Sequence, residues 1–283
     1  MTTDVFFEHR RLLFSVAYRI LGSATDAEDA VQDAWVKWSS ADRSEVVDAR
    51  SYIIRIVTNV AMDRLRAARS RREVYVGPWL PEPIVTTSGE DADSVSMALL
   101  VVLETLSPLE RAVFVLKEAF GFTHAEIATA VERSEDAVRQ AAHRAREHVQ
   151  ARRPRFHAGF AQRREVTERF FAAATGGDIN TLMQLLAPGV TVWTDGGGKV
   201  RQATRPITGA SRVAAWFATL GRQPYQGVEL ADMTVDLVEL NGGPGIVFRG
   251  AGRVIGTLTL DIDEQGRVAG IYNVANPDKL RAI

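Results

Sequence analysis

Arginines gather in two short stretches of this chain, and their chemistry suits contact with phosphates. The first set lies within nine residues and has no acidic residue among its members: Arg64, Arg66, Arg69, Arg71 and Arg72. The second set is interrupted only by Glu147 and comprises Arg139, Arg144, Arg146, Arg152, Arg153 and Arg155. A guanidinium group binds phosphates and base edges through paired hydrogen bonds, and phosphate contact depends on local rather than net charge. The two sets therefore favour nucleic-acid binding, with a solvated charged surface as the alternative for either one.

The first arginine set follows a stretch that carries groups able to read a base. Asn59 and Asp63 are one helical turn apart, and Arg55, Arg64 and Arg66 lie close to them along the chain. An amide can read a base edge while guanidinium groups hold the neighbouring phosphates. The alternative is a buried structural pair of Asn59 and Asp63.

An acidic segment upstream could meet a basic protein surface. The residues on the outer side of its helical period are Asp26, Glu28, Asp29, Gln32, Asp33 and Lys37. Opposite charges on two proteins steer their association and set its register. The alternative is that the acids stabilise a helix N-terminus, which is worth ~0.3–1 kcal/mol per charge. Gln32, Asp33 and Lys37 lie beyond the first turn, so they distinguish the two explanations.

The composition excludes several kinds of catalytic and metal site. The chain has no cysteine, which rules out disulfides, a thiol nucleophile and a cysteine-ligated metal. All five histidines precede residue 160, so no imidazole is available in the last 120 or so residues. The stretch Asp195-Gly-Gly-Gly-Lys-Val200 lacks the spacing and the hydroxyl residue of a phosphate-binding loop, and it favours a tight turn that another segment approaches closely. We expect no cofactor and no enzyme activity; a lone carboxylate of Asp195 or Asp236 is the weak alternative.

The 283 residues are enough for about two domains, and the net charge is −1. No apolar run approaches the ~20 residues of a membrane span, and the N-terminus is charged where a signal peptide is apolar. We therefore expect a cytoplasmic protein with no membrane contact. The near-neutral total does not argue against nucleic-acid binding, because basic and acidic stretches are segregated along the chain.

The elements that must position these residues are helical as far as about residue 155. Apolar residues recur at helical spacing from Phe6 to Leu21, and this helix should end at Gly22. A capping box at Thr25–Glu28 opens a second helix, and a third helix runs from Ser51 to Arg72. Residues 76–96 form a linker, because three prolines between Pro78 and Pro83 exclude a helix and the following stretch is small, polar and acidic.

Helices resume at Ser94–Leu106, and two capping signals then follow. Ser107–Glu110 opens a helix through Phe120, and Thr123–Glu126 opens a short one. After a break at Glu132-Arg133, a polar, arginine-rich helix extends from Ser134 to about Ala151. This arrangement is typical of a helix-turn-helix, and an ordinary helical hairpin is the alternative. The exposed candidates on its second helix are Glu135, Asp136, Arg139, Gln140, His143 and Arg144. Arg139 and Gln140 are placed to enter a groove and Arg144 to clamp a phosphate; an ordinary surface residue is the alternative for His143.

The last 120 or so residues change to a mixed pattern. Helices are predicted at Arg163–Ala174, from Asp178 to Leu186 and at Ala210–Leu220. Strands are predicted at Val190–Trp193, Val228–Leu240, Gly245–Arg249, Val254–Asp263 and Val268–Val274, separated by glycine-rich turns. We expect an α+β cone in which helices pack on an antiparallel sheet.

The helical segments resemble extracytoplasmic-function sigma factors over roughly residues 1–75 and 95–150. Asp26–Trp38 resembles the segment that grips the RNA polymerase clamp helices, and Ser51–Arg66 the helix that reads the −10 promoter element. Leu106–Arg111, Thr123–Ala128 and the 134–148 helix resemble the −35-reading domain, although the family usually has small or aliphatic residues where Glu132-Arg133 stands. The resemblance implies RNA polymerase core and promoter DNA as partners. It implies polymerase contact by Asp26, Asp29, Gln32, Asp33, Trp35 and Lys37; −10 contact by Arg55, Asn59, Asp63, Arg64, Arg66 and Arg69; and −35 contact by Glu135, Asp136, Arg139, Gln140, His143 and Arg144.

The C-terminal part is similar to SnoaL-like domains of the NTF2-like superfamily. Three motifs together resemble sigma factors with a fused SnoaL-like extension: Trp79-Leu-Pro-Glu-Pro83, Asp195-Gly-Gly-Gly-Lys-Val200 and Asn276-Pro-Asp-Lys-Leu280. The resemblance implies sigma region 2 at 1–75, a linker at 76–96, sigma region 4 at 97–155 and a regulatory SnoaL-like domain at 160–283. It also implies regulation by this tail rather than by a separate anti-sigma factor, with room for a small ligand in the tail pocket. The residues expected at the linker–tail contact are Trp79, Leu80, Pro81, Asp195, Gly196, Gly197, Gly198, Lys199, Asn276, Pro277, Asp278 and Lys279.

Two other functions remain open from the sequence. One is a ligand-responsive helix-turn-helix regulator whose tail senses a small molecule, which leaves the acidic segment unexplained. The other is an isomerase or hydrolase with a DNA-binding appendage, which requires a catalytic Asp195 or Asp236.

Overall fold

The computed structural model describes residues 2–42, 44, 46–86, 95–152, 159–220 and 224–283. The chain forms two compact units. The helical unit contains Met1–Val74 and Leu100–Arg152, and the tail unit contains Tyr75–Leu99 and Arg153–Ile283. The linker expected between the sigma regions therefore groups with the tail. Its acidic part, residues 87–94, and the basic residues Arg153 and Arg155 lie outside the described residues.

The first half of the helical unit packs three helices after a short leading one. These are α1 (Thr2–Glu8), α2 (Arg10–Leu21), α3 (Ala24–Ser40) and α4 (Ala49–Glu73). The predicted end at Gly22 is confirmed, since Gly22 has φ 70° and its N–H bonds to the Tyr18 carbonyl. The predicted capping box at Thr25 is wrong: the cap is Ser23, whose hydroxyl accepts from the Asp26 N–H at 3.0 Å, so α3 begins at Ala24.

The second half of the unit contains α5 (Met97–Leu103, whose first three residues fall in the tail unit), α6 (Pro108–Phe114), a π-helical turn (Val115–Ala119), α7 (His124–Val131) and α8 (Glu135–Arg152). Both predicted capping signals are confirmed, because Ser107 with Glu110 and Thr123 with Glu126 each form a complete capping box. The break between α7 and α8 is confirmed as well. Glu132 adopts a left-handed conformation there, with φ 54° and ψ 51°.

A buried arginine joins the two halves of the helical unit. Arg111 on α6 is 1% exposed, its Nε–H donates to the Arg19 carbonyl on α2 at 3.0 Å, and its guanidinium pairs with Glu104. A second bond runs from the Arg69 guanidinium on α4 to the Leu106 carbonyl. Because a buried cation is costly unless it is paired, Arg111 holds α6 against α2 in one arrangement.

The tail unit packs three helices on one sheet. The helices are α9 (Phe160–Gly176), α10 (Ile179–Leu185) and α11 (Ala210–Leu220); the strands are β1 (Leu186–Asp195), β2 (Ile207–Thr208), β3 (Thr234–Leu240), β4 (Gly243–Gly250), β5 (Arg253–Ile262) and β6 (Val268–Val274). The strand order is β2-β1-β6-β5-β4-β3. The core lies between the helices and one sheet face, where Phe170, Val192, Phe217, Leu258 and Ile271 are buried. The expected α+β fold is thus confirmed.

Two details of the sheet differ from the sequence prediction. The sheet is mixed rather than antiparallel, because β1 and β6 run parallel, with Val192 paired to Ile271. The strand predicted from Val228 begins at Thr234, since Leu230–Asp232 forms a 3₁₀ turn. Parallel pairing of strands far apart in sequence leaves no local signal, and the apolar residues before Thr234 have the same composition as a strand.

We predict that Glu132→Gly stabilises the helical unit. A non-glycine residue in the left-handed region is strained by roughly 1–2 kcal/mol, while glycine loses more chain entropy, so the net gain should be about 0.5–1 kcal/mol. Chemical denaturation of the full chain measures it. Glu132→Ala is the control, because alanine keeps the strain; an equal gain from alanine would assign the effect to the lost charge.

Candidate functional site

Helix α4 presents its nominated residues on the surface of the helical unit. Asn59 is half-buried, whereas the Asp63 side chain is 69% exposed and pairs with Arg66 at 2.5 Å. The alternative of a buried Asn59–Asp63 pair is therefore wrong. The Arg55 guanidinium lies over the Tyr52 ring, 4.8 Å from its centroid. An amide, a carboxylate and cations thus share one accessible stretch of the helix.

Arg64 connects the residues nominated for DNA with those nominated for the polymerase. Its Nη2 lies 2.6 Å from Asp33 Oδ2 and its Nη1 lies 3.4 Å from Asp29 Oδ2, both on α3. The hydrogen bond that Arg64 donates to Asp33 raises the pKa of Arg64 above its ordinary value. The sequence predicts that Arg69 contacts DNA. In the structure its guanidinium group instead donates a hydrogen bond to the Leu106 carbonyl.

The outer face of α3 carries the other nominated polymerase contacts. Gln32 and Lys37 are exposed, and Asp26 is half-buried at the capped start of the helix. Trp35 is half-buried because its ring packs against Phe6 and Phe7, with centroid distances of 5.1 and 5.2 Å. Polar groups therefore surround a partly accessible aromatic anchor on this face.

Helix α8 exposes most of the residues nominated for the −35 element. Asp136, Arg139, Gln140, His143 and Arg144 are exposed and Glu135 is half-buried. Arg139 pairs within the helix with Glu135 at 2.5 Å and Asp136 at 3.4 Å. Exposed ion pairs of this kind contribute at most about 1 kcal/mol, so a phosphate can replace the carboxylates at small cost.

Arg144 is held by α6 rather than by its own helix. Its Nε lies 2.7 Å from Glu110 Oε1, the carboxylate of the capping box at Ser107. Burial would raise the pKa of Glu110, but the hydrogen bonds from Arg144 and Ser107 outweigh it and lower that pKa. The clamp expected at Arg144 is therefore aligned by the helix-turn-helix scaffold.

The tail unit brings the three C-terminal motifs together at a buried carboxylate. Asp195, at the end of β1, is fully buried. It accepts hydrogen bonds from the Tyr75 hydroxyl at 2.6 Å, the Leu80 N–H at 2.8 Å and the Gly197 N–H at 3.1 Å. The Lys279 Nζ lies 2.7 Å from Asp195 Oδ2 and forms a buried ion pair with this carboxylate.

Lys279 completes this anchor from the C-terminal motif. It is 7% exposed, donates to the Leu80 carbonyl at 2.5 Å, and lies 3.8 Å from the centroid of the Trp79 ring. A cation over an indole face is attracted by the ring, and more strongly when both are desolvated. Pro81 is buried beside these groups. Residues 79–81 of the linker are thus fixed to the tail by charge, hydrogen bonds and ring contact.

The glycines of the Asp195–Val200 turn are required by close approaches from both sides. A Cβ at Gly196 would lie 2.3 Å from the Val200 carbonyl oxygen, and one at Gly197 would lie 2.3 Å from the Asn276 amide. A Cβ at Gly198 would crowd Val76 of the linker, at 3.3 Å. The expected close approach at this turn is therefore present, and part of it comes from side chains.

The Asn276–Leu280 motif is ordered by its own local bonds. The Asn276 side chain donates to the Tyr75 hydroxyl at 2.8 Å and accepts from the Asp278 N–H at 3.1 Å. Pro277 opens the short 3₁₀ turn Pro277–Lys279, and Lys199 pairs with Asp278 at its surface. Burial and the bond to Asp195 raise the pKa of Tyr75, so its hydroxyl stays a donor at neutral pH.

A second anchor, which the sequence did not indicate, holds the end of the described linker. The Thr86 N–H donates to the Glu239 carbonyl at 3.0 Å, and the Asn241 N–H donates to the Ile84 carbonyl at 3.0 Å. The Asn241-Gly242 pair signals a hairpin turn, but nothing in it identifies the linker as its partner. Tyr75 was missed for a similar reason, because it stands just outside the proline-rich stretch.

The carboxylates considered for catalysis lie away from the tail cavity. Asp195 is engaged with Lys279, and Asp236 is exposed on β3 and pairs with Arg249 at 2.9 Å. Neither lines the cavity that opens between the helices and the sheet. The acid–base alternative thus loses both of its residues. Within the described ranges, no cluster of three potential metal ligands occurs, and every helix is too short or too polar to span a bilayer.

Comparison with known proteins agrees with this arrangement. The family pattern described as Sigma-70 region 2 matches residues 5–71, and that described as Sigma-70, region 4 matches residues 96–149. The chain is 37% identical to the ECF RNA polymerase sigma factor SigJ of Mycobacterium tuberculosis (strain ATCC 25618 / H37Rv), over 99% of this chain and 93% of that protein. It is 32% identical to the probable ECF RNA polymerase sigma factor SigI of Mycobacterium tuberculosis (strain CDC 1551 / Oshkosh), over 97% of this chain and 94% of that protein.

A solved structure extends the similarity to the whole fold. The crystal structure of the Mycobacterium tuberculosis extracytoplasmic function sigma factor SigJ aligns with a TM-score of 0.78 and 32% identity, covering 99% of this chain and 98% of that one. Sequence and fold therefore agree along the entire length, the tail unit included. The chain belongs to the ECF family of RNA polymerase sigma factors.

Proposed function

We propose that this sigma factor divides promoter recognition among three helices and places it under the control of its own tail. In this proposal α3 contacts the polymerase core, α4 the −10 element and α8 the −35 element. The linker-bound tail unit supplies the regulation, without a separate anti-sigma factor. The observation that carries the proposal is the buried contact of Asp195 with Lys279, Tyr75 and Leu80, which fixes to the tail the segment joining the two promoter-reading halves.

The assignment of polymerase contact to α3 rests on what remains exposed beyond its first turn. Gln32, Asp33 and Lys37 lie there, and a helix-dipole role would need the acids in the first turn instead. Asp33 is held by Arg64 of α4. Docking of a basic surface on α3 would compete for that carboxylate and release the Arg64 guanidinium next to the −10 residues.

The assignment of promoter contact to α4 and α8 rests on exposed amides beside paired arginines. An amide forms two hydrogen bonds with adenine in the major groove, whereas the guanidinium groups suit phosphates and guanine. On α8 the exposed Gln140 lies between Arg139 and Arg144, one on either side along the helix. This composition is expected of a DNA-reading helix in which arginines position the protein on the phosphates and an amide reads a base.

Run-off transcription with purified core polymerase tests the function itself. The full chain should support promoter-dependent transcript without any other sigma factor. The ligand-responsive regulator is the competing function, and it predicts no transcript under these conditions. A transcript therefore excludes the regulator, and its absence at every promoter tried with this chain's own upstream sequences would contradict the proposal.

We predict that Gln140→Ala weakens promoter binding selectively. Loss of one bidentate base contact should lower specific affinity about 5- to 150-fold, the equivalent of 1–3 kcal/mol, and leave non-specific DNA affinity nearly unchanged. Titration of the polymerase–sigma complex with promoter and scrambled duplexes measures both. The control is Gln150→Ala, the same change at an exposed position farther along α8; equal losses from both variants would remove Gln140 from the interface.

We predict that Asp33→Asn weakens binding to the polymerase core. The change removes a charge at the protein contact, which should lower affinity about fivefold and lessen its dependence on salt. Glu28→Gln is the matched control, since Glu28 is an exposed carboxylate nearer the N-terminus of α3 that pairs with Arg10. If Glu28→Gln has the same effect, the acids serve the helix rather than the polymerase.

We predict that Asp195→Asn destabilises the tail unit and frees the linker. Removing one partner of a buried pair leaves Lys279 uncompensated, which should cost about 3–5 kcal/mol. Denaturation reports the stability, limited proteolysis within residues 75–86 reports the linker, and run-off transcription reports the regulation. Asp236→Asn, at an exposed ion pair, should change stability by at most about 0.5 kcal/mol. A freed linker with unaltered transcription would contradict regulation by the tail.

A further inference from the structure

The tail unit contains a cavity of about 110 Å³ between its helices and the sheet. Six of its described lining residues are aromatic: Phe170, Phe171, Trp216, Phe217, Tyr225 and Phe248. The rings meet edge to face, as Phe170 and Phe217 do at 5.0 Å and Trp216 and Phe217 at 4.9 Å. Such a wall is preformed, because each ring is held by its neighbours rather than by an occupant.

One part of the cavity lining is polar but uncharged. Gln202 and Asn273 line it beside Tyr225, and the Gln202 amide donates to the Tyr225 hydroxyl at 2.7 Å. The Asn273 amide donates to the Thr257 carbonyl at 3.1 Å, which fixes its orientation. Burial raises the pKa of Tyr225 to about 12, so the phenol is neutral and can donate at physiological pH. Amides and a phenol converge here on the apolar space.

The cavity also reaches the protein surface. Thr175 is exposed there and Leu230 is 48% exposed, although both belong to the lining. A small molecule therefore has a route inward past these two residues. No Asp, Glu, Lys, Arg or His occurs among the described lining residues, so a charged molecule would be desolvated without a counter-ion.

We infer that this cavity binds a small uncharged ring compound that carries one hydrogen-bonding group, with the ring among the aromatic side chains and the polar group at Gln202, Tyr225 and Asn273. The size follows from comparison with an engineered cavity of about 150 Å³, which stays dry and binds benzene. A monocyclic molecule of the phenol class fits that scale. The absence of carboxylate and imidazole from the described lining makes it a binding site without acid–base chemistry.

Titration calorimetry of the full chain with phenol, toluene and benzoate tests the inference. Phenol should bind saturably at one site per chain, and benzoate, an anion that carries the same ring, should bind at least about tenfold more weakly. Tyr225→Phe should reduce phenol affinity about fivefold and leave toluene affinity unchanged, because toluene makes no hydrogen bond. Equal binding of phenol and benzoate would overturn the chemical class.

Two variants of α9 locate the binding. Ala174→Phe fills the cavity and should abolish binding of phenol, whereas Ala172→Phe places the same ring at an exposed position of the same helix and should leave it intact. Circular dichroism shows whether both variants fold. If Ala174→Phe unfolds, the phenol and toluene affinities of Tyr225→Phe decide instead whether the ligand binds in this cavity. Phenol binding that survives Ala174→Phe in a folded protein, or no saturable binding of any neutral probe, would overturn the site. Neither polymerase nor DNA is present, so failure here leaves the proposed function untouched, and the reverse holds too.

Discussion

The Asp195 carboxylate is buried at the end of β1, and the tail unit is organised around the need to satisfy it. Each of its oxygens is bonded, one to the Tyr75 hydroxyl and the Gly197 N–H, the other to the Leu80 N–H and the Lys279 ammonium. Leu80 belongs to the linker and Tyr75 directly precedes it, so the carboxylate cannot be satisfied by the sheet domain alone. Because an unpaired buried charge costs free energy, separating the linker from the domain would destabilise both. The three glycines follow from the same constraint, since only a turn without side chains leaves room for Asn276 and Val76.

The helical unit is governed by a different electrostatic arrangement. Here the nominated arginines are mostly paired at the surface: Arg64 with Asp33, Arg139 with Glu135 and Arg144 with Glu110. Exposed pairs are weak and easily exchanged, so they align guanidinium groups without locking them. The buried cation Arg111 has a structural task instead, because it ties α6 to the Arg19 carbonyl. Burial thus separates arginines that hold the fold from arginines that can meet DNA.

Local sequence signals predicted the elements well wherever the stabilising interaction is itself local. The capping boxes at Ser107 and Thr123, the helix end at Gly22 and the Asp178 cap all depend on residues within three or four positions of one another. The wrong cap predicted at Thr25 is also a local error. Ser23, two residues earlier, is the cap instead, because its hydroxyl accepts a hydrogen bond from the Asp26 N–H. The late start of β3 and the parallel β1–β6 pair depend on distant strands, and no short-range pattern contains them.

The sequence by itself determined the family, the helical character of the first 150 or so residues and the three motifs that distinguish the tail, because residue types at fixed spacing survive without knowledge of the fold. Only the tertiary structure decided what those motifs do to one another. In the structure Asp195 forms a buried pair with Lys279, which is 84 positions away along the chain. Arg69 forms a hydrogen bond with Leu106, and Asp63 is exposed rather than buried. The structure also revealed the aromatic cavity, whose described lining comes from five helices and strands and two connecting segments. The physical reason is that burial and charge pairing depend on which residues surround a side chain in the folded protein. An aspartate can therefore form an exposed ion pair or a buried structural contact, depending on the residues that pack around it.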